Sequence, residues 1–212
     1  MLLLIALLLV SYLMGSCPTS LLVARRLKGI DIREHGSGNA GGTNVLRVVG
    51  WKAALIVVIV DVGKGALAAC LPLMVTAPRL PLDAADAAAL CGACAVMGHV
   101  YPAFARFRGG KGVGTCAGMY LATQPLAVAV AAPVFLVSVL GTRMVSLGSV
   151  LAALALPPAL WLTRGGSWMK AHPVSLAVSA GLAALIVFKH SSNIARIARG
   201  TENRLGQRKA SH

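Results

Sequence analysis

Three polar stretches hold most of the side chains in this sequence that are able to do chemistry. The first, GSGNAGGTNVLR, sets Gly36, Gly38 and Gly41 among Ser37, Asn39, Thr43 and Asn44 and ends on Arg47. Glycines let consecutive backbone N–H groups curl around an anion. The neutral side chains add hydrogen bonds, and arginine adds a fixed, bidentate charge. Such a set would build a phosphate site where a helix begins. The second stretch, GHVYPAFARFRGGKGVGT (Gly98–Thr115), repeats the recipe, with Gly109, Gly110 and Gly112 around Lys111 and with His99 near its start. Tyr101, Phe104 and Phe107 beside Arg106 and Arg108 suit interfacial anchors. The third, HSSNIARIARGTENRL, puts His190 and Asn193 three residues apart, on one helical face. Gly200 ends that helix and Glu202 follows. Arg196 and Arg199 suit either lipid headgroups or a substrate. Asp61 and Lys64, three apart inside an apolar run, point to function or to a structural ion pair.

Other chemistries are excluded by what surrounds these motifs. GSGNAG has no strand before it and leads into an apolar span, so it is not a dinucleotide fingerprint. The spacing around Lys111 is not that of a P-loop. No histidine has an aspartate five residues on, and G-x-S-x-G and H-E-x-x-H are missing. Six carboxylates in the whole chain make a two-metal site implausible. The expectation is a site that binds anions, with no metal and no cofactor. Cys91 and Cys94 form a C-x-x-C without a second pair, and all five cysteines lie in or beside apolar runs.

The elements that must position these loops are membrane helices. Of 212 residues 57% are apolar and 12% charged, against about a quarter charged in soluble domains. The net charge of +14 is gathered in blocks. These are Arg25, Arg26, Lys28, Arg33, Arg47 and Lys52; Arg106, Arg108 and Lys111; and Lys189, Arg196, Arg199, Arg204, Arg208 and Lys209. Blocks between apolar runs read as loops beside anionic lipid and exclude a nucleic-acid face. Apolar segments at 2–22, 52–77, 84–100, 145–163 and 173–189 have the character of spans. With the N-terminus outside, the regions 23–52, 101–115 and 189–212 all fall inside. The stretch 116–141 must then enter and leave on one side. Pro125 and Pro133 divide it into two short antiparallel helices, with Arg143 back at the cytoplasmic face. The first piece, ~12 residues and so ~18 Å, is short enough to be re-entrant. The reading is an all-α integral membrane protein of about seven helices, one domain over 1–212. Its C-terminus is cytoplasmic, and its three polar loops converge on one face.

Taken together and in order, the three motifs resemble those of the bacterial acyl-phosphate-dependent glycerol-3-phosphate acyltransferases. DVGKG and TRMVSLGS fit that family as well, and the likeness runs along essentially the whole chain. The resemblance implies acyl transfer from acyl phosphate to the 1-hydroxyl of glycerol 3-phosphate, giving lysophosphatidic acid and phosphate at the cytoplasmic side of the bacterial inner membrane. It assigns Ser37, Asn39, Thr43, Asn44 and Arg47 to phosphate binding. Lys111 with its flanking glycines, His190 and Asn193 complete the cradle, and Glu202 orients the basic groups. Ser37, Arg47, Lys111, His190 and Asn193 are the expected catalytic set. The general base stays open between His190, His99 and the donor's own phosphate. Ala40 stands where the family often has a larger residue, and Gly42 and Gly114 where it usually has alanine. Each of those two glycines loosens its loop by roughly 0.5–1 kcal/mol. A rival reading is a transporter of phosphorylated metabolites, although no internal repeat is evident and the polar groups gather at one face. A non-catalytic lipid-binding scaffold would not need three converging basic loops.

Overall fold

The structure, a computed structural model, describes residues 1–75 and 80–206. Its helices are α1 (Leu2–Gly15), α2 (Thr19–Lys28), α3 (Gly42–Val48), α4 (Trp51–Cys70) and α5 (Ala84–Val100). They continue as α6 (Val113–Thr123), α7 (Pro125–Thr142), α8 (Val145–Ala171), α9 (Pro173–Lys189) and α10 (Ser191–Ala198), and the described residues hold no strand. The long helices turn large apolar side chains outward, Leu140 at 80% and Leu67 at 61% exposure among them. Only hydrocarbon makes such a surface favourable, so this is the bundle of an integral membrane protein.

α5 sits at the centre, against α1, α4, α6 and α9, while α7 packs along α8 and α4 along α6. The α4–α6 pair fits backbone against backbone. A methyl group on Gly65 would overlap the backbone of Thr115, and one on Gly118 the backbone of Val62. Lipid tails are as apolar as leucine, so helices in a bilayer associate through such backbone approach between small residues. That contact holds the start of α6, and with it the Lys111 loop, against the helix carrying Asp61.

Five described helical segments are long and apolar enough to cross a membrane, and six if α9 and α10, bent by 57°, count as one broken span. Boundaries depart from the sequence expectation in four places. The segment 2–22 is interrupted where Cys17–Pro18 breaks the helix between α1 and α2, because proline lacks a donor and restricts the residue before it. Pro125 opens α7 and so separates it from α6, but Pro133 lies within an unbroken helix. The 116–141 stretch is therefore an 11-residue helix and an 18-residue one. The second is ~27 Å long and spans, whereas the first is ~16 Å and does not cross alone. α8 runs past residue 163 to Ala171 with its break at Gly165 (φ 77°), despite Pro157 and Pro158 inside it. The stretch 52–77 leaves the α-helix after Cys70 for a 3-10 turn at Leu71–Met74. Residues 76 and 77 of that stretch, with Arg208 and Lys209 of the last basic block, lie outside the described residues.

Candidate active site

One cavity of about 700 Å³ opens at the face where the three polar loops meet. Its walls include Ser37, Gly38, Asn39, Gly41, Thr43, Asn44 and Arg47 from the first loop. His99, Gly109, Lys111 and Gly112 come from the second, and His190, Asn193, Arg196 and Glu202 from the third. Every residue expected at the site lines it except two. Gly36 lies over the Asn44 side chain, and Gly110 is wedged between the His99 ring and the Ala40 carbonyl. These two shape the loops from behind.

The loops are locked to each other by cationic side chains. Arg33 is gripped by Asp31 at 2.6 Å and donates from Nη1 to the Ala105 carbonyl at 3.0 Å, joining the first loop to the second. Arg47 Nη2 donates to the Asn203 carbonyl at 3.4 Å, joining the first to the third. Lys111 Nζ donates to Asn193 Oδ1, joining the second to the third.

Inside the first loop the Asn44 amide is fully committed. Its Nδ2 donates to the carbonyls of Ile32 and His35 at 3.0 and 2.9 Å, and its Oδ1 accepts from the Ser37 N–H at 2.9 Å. Asn44 thus holds the loop that presents Ser37 and Asn39. Several loop amides that glycine was expected to offer to an anion are also spoken for. Gly38 N–H donates to the His35 carbonyl, Gly109 to Val100 and Gly110 to His99. The groups left free to meet an anion are therefore side chains and the start of α6. There Val113 and Gly114 line the cavity, and first-turn amides lack helical partners.

Glu202 organises the third loop. Its Oε1 accepts from Ser146 Oγ at 2.9 Å and Asn193 Nδ2 at 2.7 Å, and its Oε2 accepts from Arg196 Nε at 2.8 Å. Burial raises the affinity of this carboxyl for a proton, but the hydrogen bonds from Asn193, Ser146 and Arg196 outweigh it and keep Glu202 ionised. Asn193 is therefore oriented by the carboxylate on one side and turned to Lys111 on the other. Burial also pulls the Lys111 ammonium down to about 8; Glu202 opposes this, and Arg196, Arg47 and Lys189 add to it. Lys111 thus stands charged at neutral pH but short of negative charge. His190, just beyond the end of α9, is lowered to about 4 by burial and by Lys111 and is neutral. Its Nδ1 lies 2.7 Å from the Ile186 carbonyl and must donate to it, leaving Nε2 as the unprotonated ring nitrogen.

On the wall formed by α4 and α5, Asp61 pairs with Lys64 at 2.9 Å, and His99 Nδ1 lies 3.5 Å from the same oxygen. Lys64 also donates to the Cys17 carbonyl at 3.1 Å, tying the α1–α2 corner to α4. Of this pair only Asp61 lines the cavity, so the acid faces the site and the base anchors the fold. Ser146 and Ser149 line the cavity as well. Neither stands out in the sequence, because a serine inside an apolar helix normally bonds back to its own backbone, as Ser149 does to the Val145 carbonyl at 2.8 Å. Their spacing of three within TRMVSLGS was the available signal.

Below the polar rim the cavity continues as an apolar slot between α4 and α6 on one side and α7 and α8 on the other. A basic cradle that opens into an apolar slot makes this the anion-binding site of a helical membrane protein. The family model described as glycerol-3-phosphate acyltransferase matches residues 5–200. The chain is 47% identical to the glycerol-3-phosphate acyltransferase of Geobacillus kaustophilus, over 92% of both chains. It is 46% identical to that of Salinibacter ruber, over 93% of this chain and 90% of that one. Among solved structures it is similar to PlsY, an integral membrane glycerol 3-phosphate acyltransferase. The glycerol 3-phosphate form matches with a TM-score of 0.84 at 32% identity over 96% of both chains, and the lysophosphatidic acid form with 0.81 at 32% identity. This chain belongs to the glycerol-3-phosphate acyltransferase family.

Proposed function

We propose that this protein, acting as one domain over 1–212, transfers a fatty acyl group from acyl phosphate to the 1-hydroxyl of glycerol 3-phosphate, releasing lysophosphatidic acid and inorganic phosphate. The carrying observation is the continuity of a cationic cradle with an apolar slot in a single cavity. The similar PlsY structures, one in a glycerol 3-phosphate form and one in a lysophosphatidic acid form, support the acceptor and the product.

The mixed anhydride is already activated, so the enzyme's task is positioning and charge stabilisation. The acceptor hydroxyl forms a new C–O bond at the donor carbonyl, the bond from that carbonyl to the phosphate oxygen breaks, and the hydroxyl proton passes to a base or to the departing phosphate. Lys111 and Arg47, with Ser37, Asn39 and Thr43, neutralise the phosphates. Asn193, fixed by Glu202, holds Lys111 in place. His190 is a weak base at a value of about 4. His99 beside Asp61 and the leaving phosphate itself are the stronger candidates to receive the proton. Both cavity carboxylates are already engaged, Asp61 by Lys64 and Glu202 by Ser146, Asn193 and Arg196. The reaction is accordingly proposed to need no metal. The basic loops support a site on the cytoplasmic face of a bacterial inner membrane, by the positive-inside rule.

The test is purified protein in detergent with palmitoyl phosphate and glycerol 3-phosphate, following phosphate and lysophosphatidic acid together. Equal release of both, absent with acyl-CoA and lost in Lys111→Ala, is expected. Product from acyl-CoA instead would overturn the donor, and product from neither would return the transporter reading.

A further inference from the structure

The slot has a floor at a fixed depth, and it lies where three helices run out of cavity-lining residues together. On α6 the lining begins at Val113 and ends at Tyr120. α8 lines the cavity from Val145 down to Leu156, and Pro157 and Pro158 follow immediately. α7 runs the opposite way, so Leu136 lies toward the polar rim and Val128 is deepest. Tyr120 is 3% exposed, and Val128 and Leu156 pack against the buried cluster that contains it. Above this floor the α8 wall is small, with Ser149, Ala152 and Ala153, and α7 contributes Ala131 and Ala132. Small residues make a channel and the three larger side chains close it.

We infer that Tyr120, Val128 and Leu156 act as a ruler that sets the length of acyl chain the enzyme accepts. The upper mark is Ser146, bonded to Glu202 at the rim. From Ser146 to Leu156 along α8 is ten residues, ~15 Å of helix. An extended chain advances ~1.2 Å per backbone bond, so the slot holds about a dozen methylenes below the reacting carbonyl. A chain that ends short of the floor leaves a void, and one longer than the slot must bend. In a hydrophobic pocket one methylene changes selectivity by about 10–200-fold, so the floor is steep enough to discriminate. This inference rests on the acyl-phosphate reading of the same cavity.

The experiment compares saturated acyl phosphates from eight to eighteen carbons, with glycerol 3-phosphate as acceptor, in wild type, Leu156→Phe, Leu156→Ala and Val128→Phe. Wild type is expected to show a single optimum. Leu156→Phe and Val128→Phe should move it toward shorter chains by about two carbons, lowering the ratio of longer- to shorter-chain kcat/KM at least ~10-fold. Leu156→Ala should move it toward longer chains. Val128→Phe sits on the outermost helix and tests the floor independently should a change in α8 impair folding. Profiles superimposable on wild type in the folded variants would overturn the ruler. If wild type turns over no acyl phosphate, the donor reading fails on its own. The ruler is then read from thermal stabilisation by a lysophosphatidic acid series, where a chain-length maximum that does not move in the variants would overturn it.

Discussion

The two ends of the bundle gather polar groups in opposite ways. At the far end from the loops, Asp83 caps α5 by accepting from the N–H groups of Ala85 and Asp86 at 2.8 and 3.0 Å, and it lies 3.2 Å from His172 Nδ1. Asp86, buried, accepts from both the N–H and the hydroxyl of Ser175 at 2.8 and 2.7 Å. Arg164 donates to Gln124 at 2.7 Å. The Ser175 and His172 contacts with Asp86 and Asp83 staple the start of α5 to the α8–α9 corner. At the loop end, Arg47, Lys111, Lys189 and Arg196 face the cavity with Glu202 as the anion among them, and Asp61 is already paired with Lys64. A set of charges closed on itself belongs to the fold. A set left short of negative charge is built for something that brings it.

The sharpest way to break this contrast is to remove the cation at the centre of the open set. Lys111→Ala should lower kcat/KM by about 10²–10³, the range for deleting one preorganised electrostatic partner, without a large loss of stability. A residual activity within a few-fold of wild type would mean that Arg47 and Arg196 carry the phosphates.

The same side chain predicts a split between activity and stability on the alkaline side. Lys111 titrates at about 8 in the folded protein against 10.5 for an ordinary lysine. kcat/KM, which reports the free enzyme, should therefore fall as pH rises through about 8. Between about 8 and 10.5 the unfolded chain binds more protons than the folded one, so this residue's contribution makes stability rise across that window. A pH–rate profile and thermal unfolding on one preparation measure both. An alkaline limb in kcat/KM that persists unchanged in Lys111→Arg would assign it to another group.

The far end should answer the opposite way. Asp86→Ala strands the Ser175 N–H and hydroxyl in a buried place and should destabilise the bundle by about 1–3 kcal/mol. Turnover per folded molecule should stay within about two-fold of wild type, because the Asp86 carboxylate bonds Ser175, which does not line the cavity. Denaturation in mild detergent gives the first quantity and active-fraction-corrected kcat the second. A specific loss of kcat would show that the two ends are coupled through α5.

The open end was the more legible of the two in the sequence. Glycine, lysine, arginine and asparagine are conspicuous in a chain of 57% apolar residues, and their order along the chain indicated one face. Two things were not legible. The first was the division of labour inside a motif. Asn44 reads like Asn39 in a string of letters and both line the cavity, yet the Asn44 amide is spent on the loop's own backbone and the Asn39 amide is not. Only the path of the backbone decides which amide is left over. The second was where prolines break helices. Pro18 and Pro125 mark real ends, while Pro133, Pro157 and Pro158 lie inside helices. In a bilayer no water competes for the backbone, so a helix keeps its remaining hydrogen bonds around a proline that would end it in solution. The far-end cluster was missed for a related reason: Asp83, Asp86, His172 and Ser175 are scattered, and only the approach of the α8–α9 corner to α5 joins them.

The smallest effect separates two glycines that the sequence treats alike. Both Gly42 and Gly114 occupy first-turn helical positions in the open end, and both loosen the unfolded chain. Alanine at a position whose backbone it can adopt gains about 0.4–1 kcal/mol by restricting that chain, provided its methyl finds room. At Gly114 the methyl would sit 3.4 Å from Asp61 Cβ, an ordinary contact. At Gly42 it would come within 3.0 Å of Val58 Cγ2, which must move to admit it. Gly114→Ala should therefore raise stability by about 0.5 kcal/mol, whereas Gly42→Ala should give none of that gain. Unfolding of the two single variants beside wild type decides it. Equal stabilisation by both would mean that Val58 yields freely and that the slack of the open end extends into the upper wall of the slot. Stabilisation by neither would place the strain at Asp61, whose contact with His99 then leaves no tolerance for a neighbour.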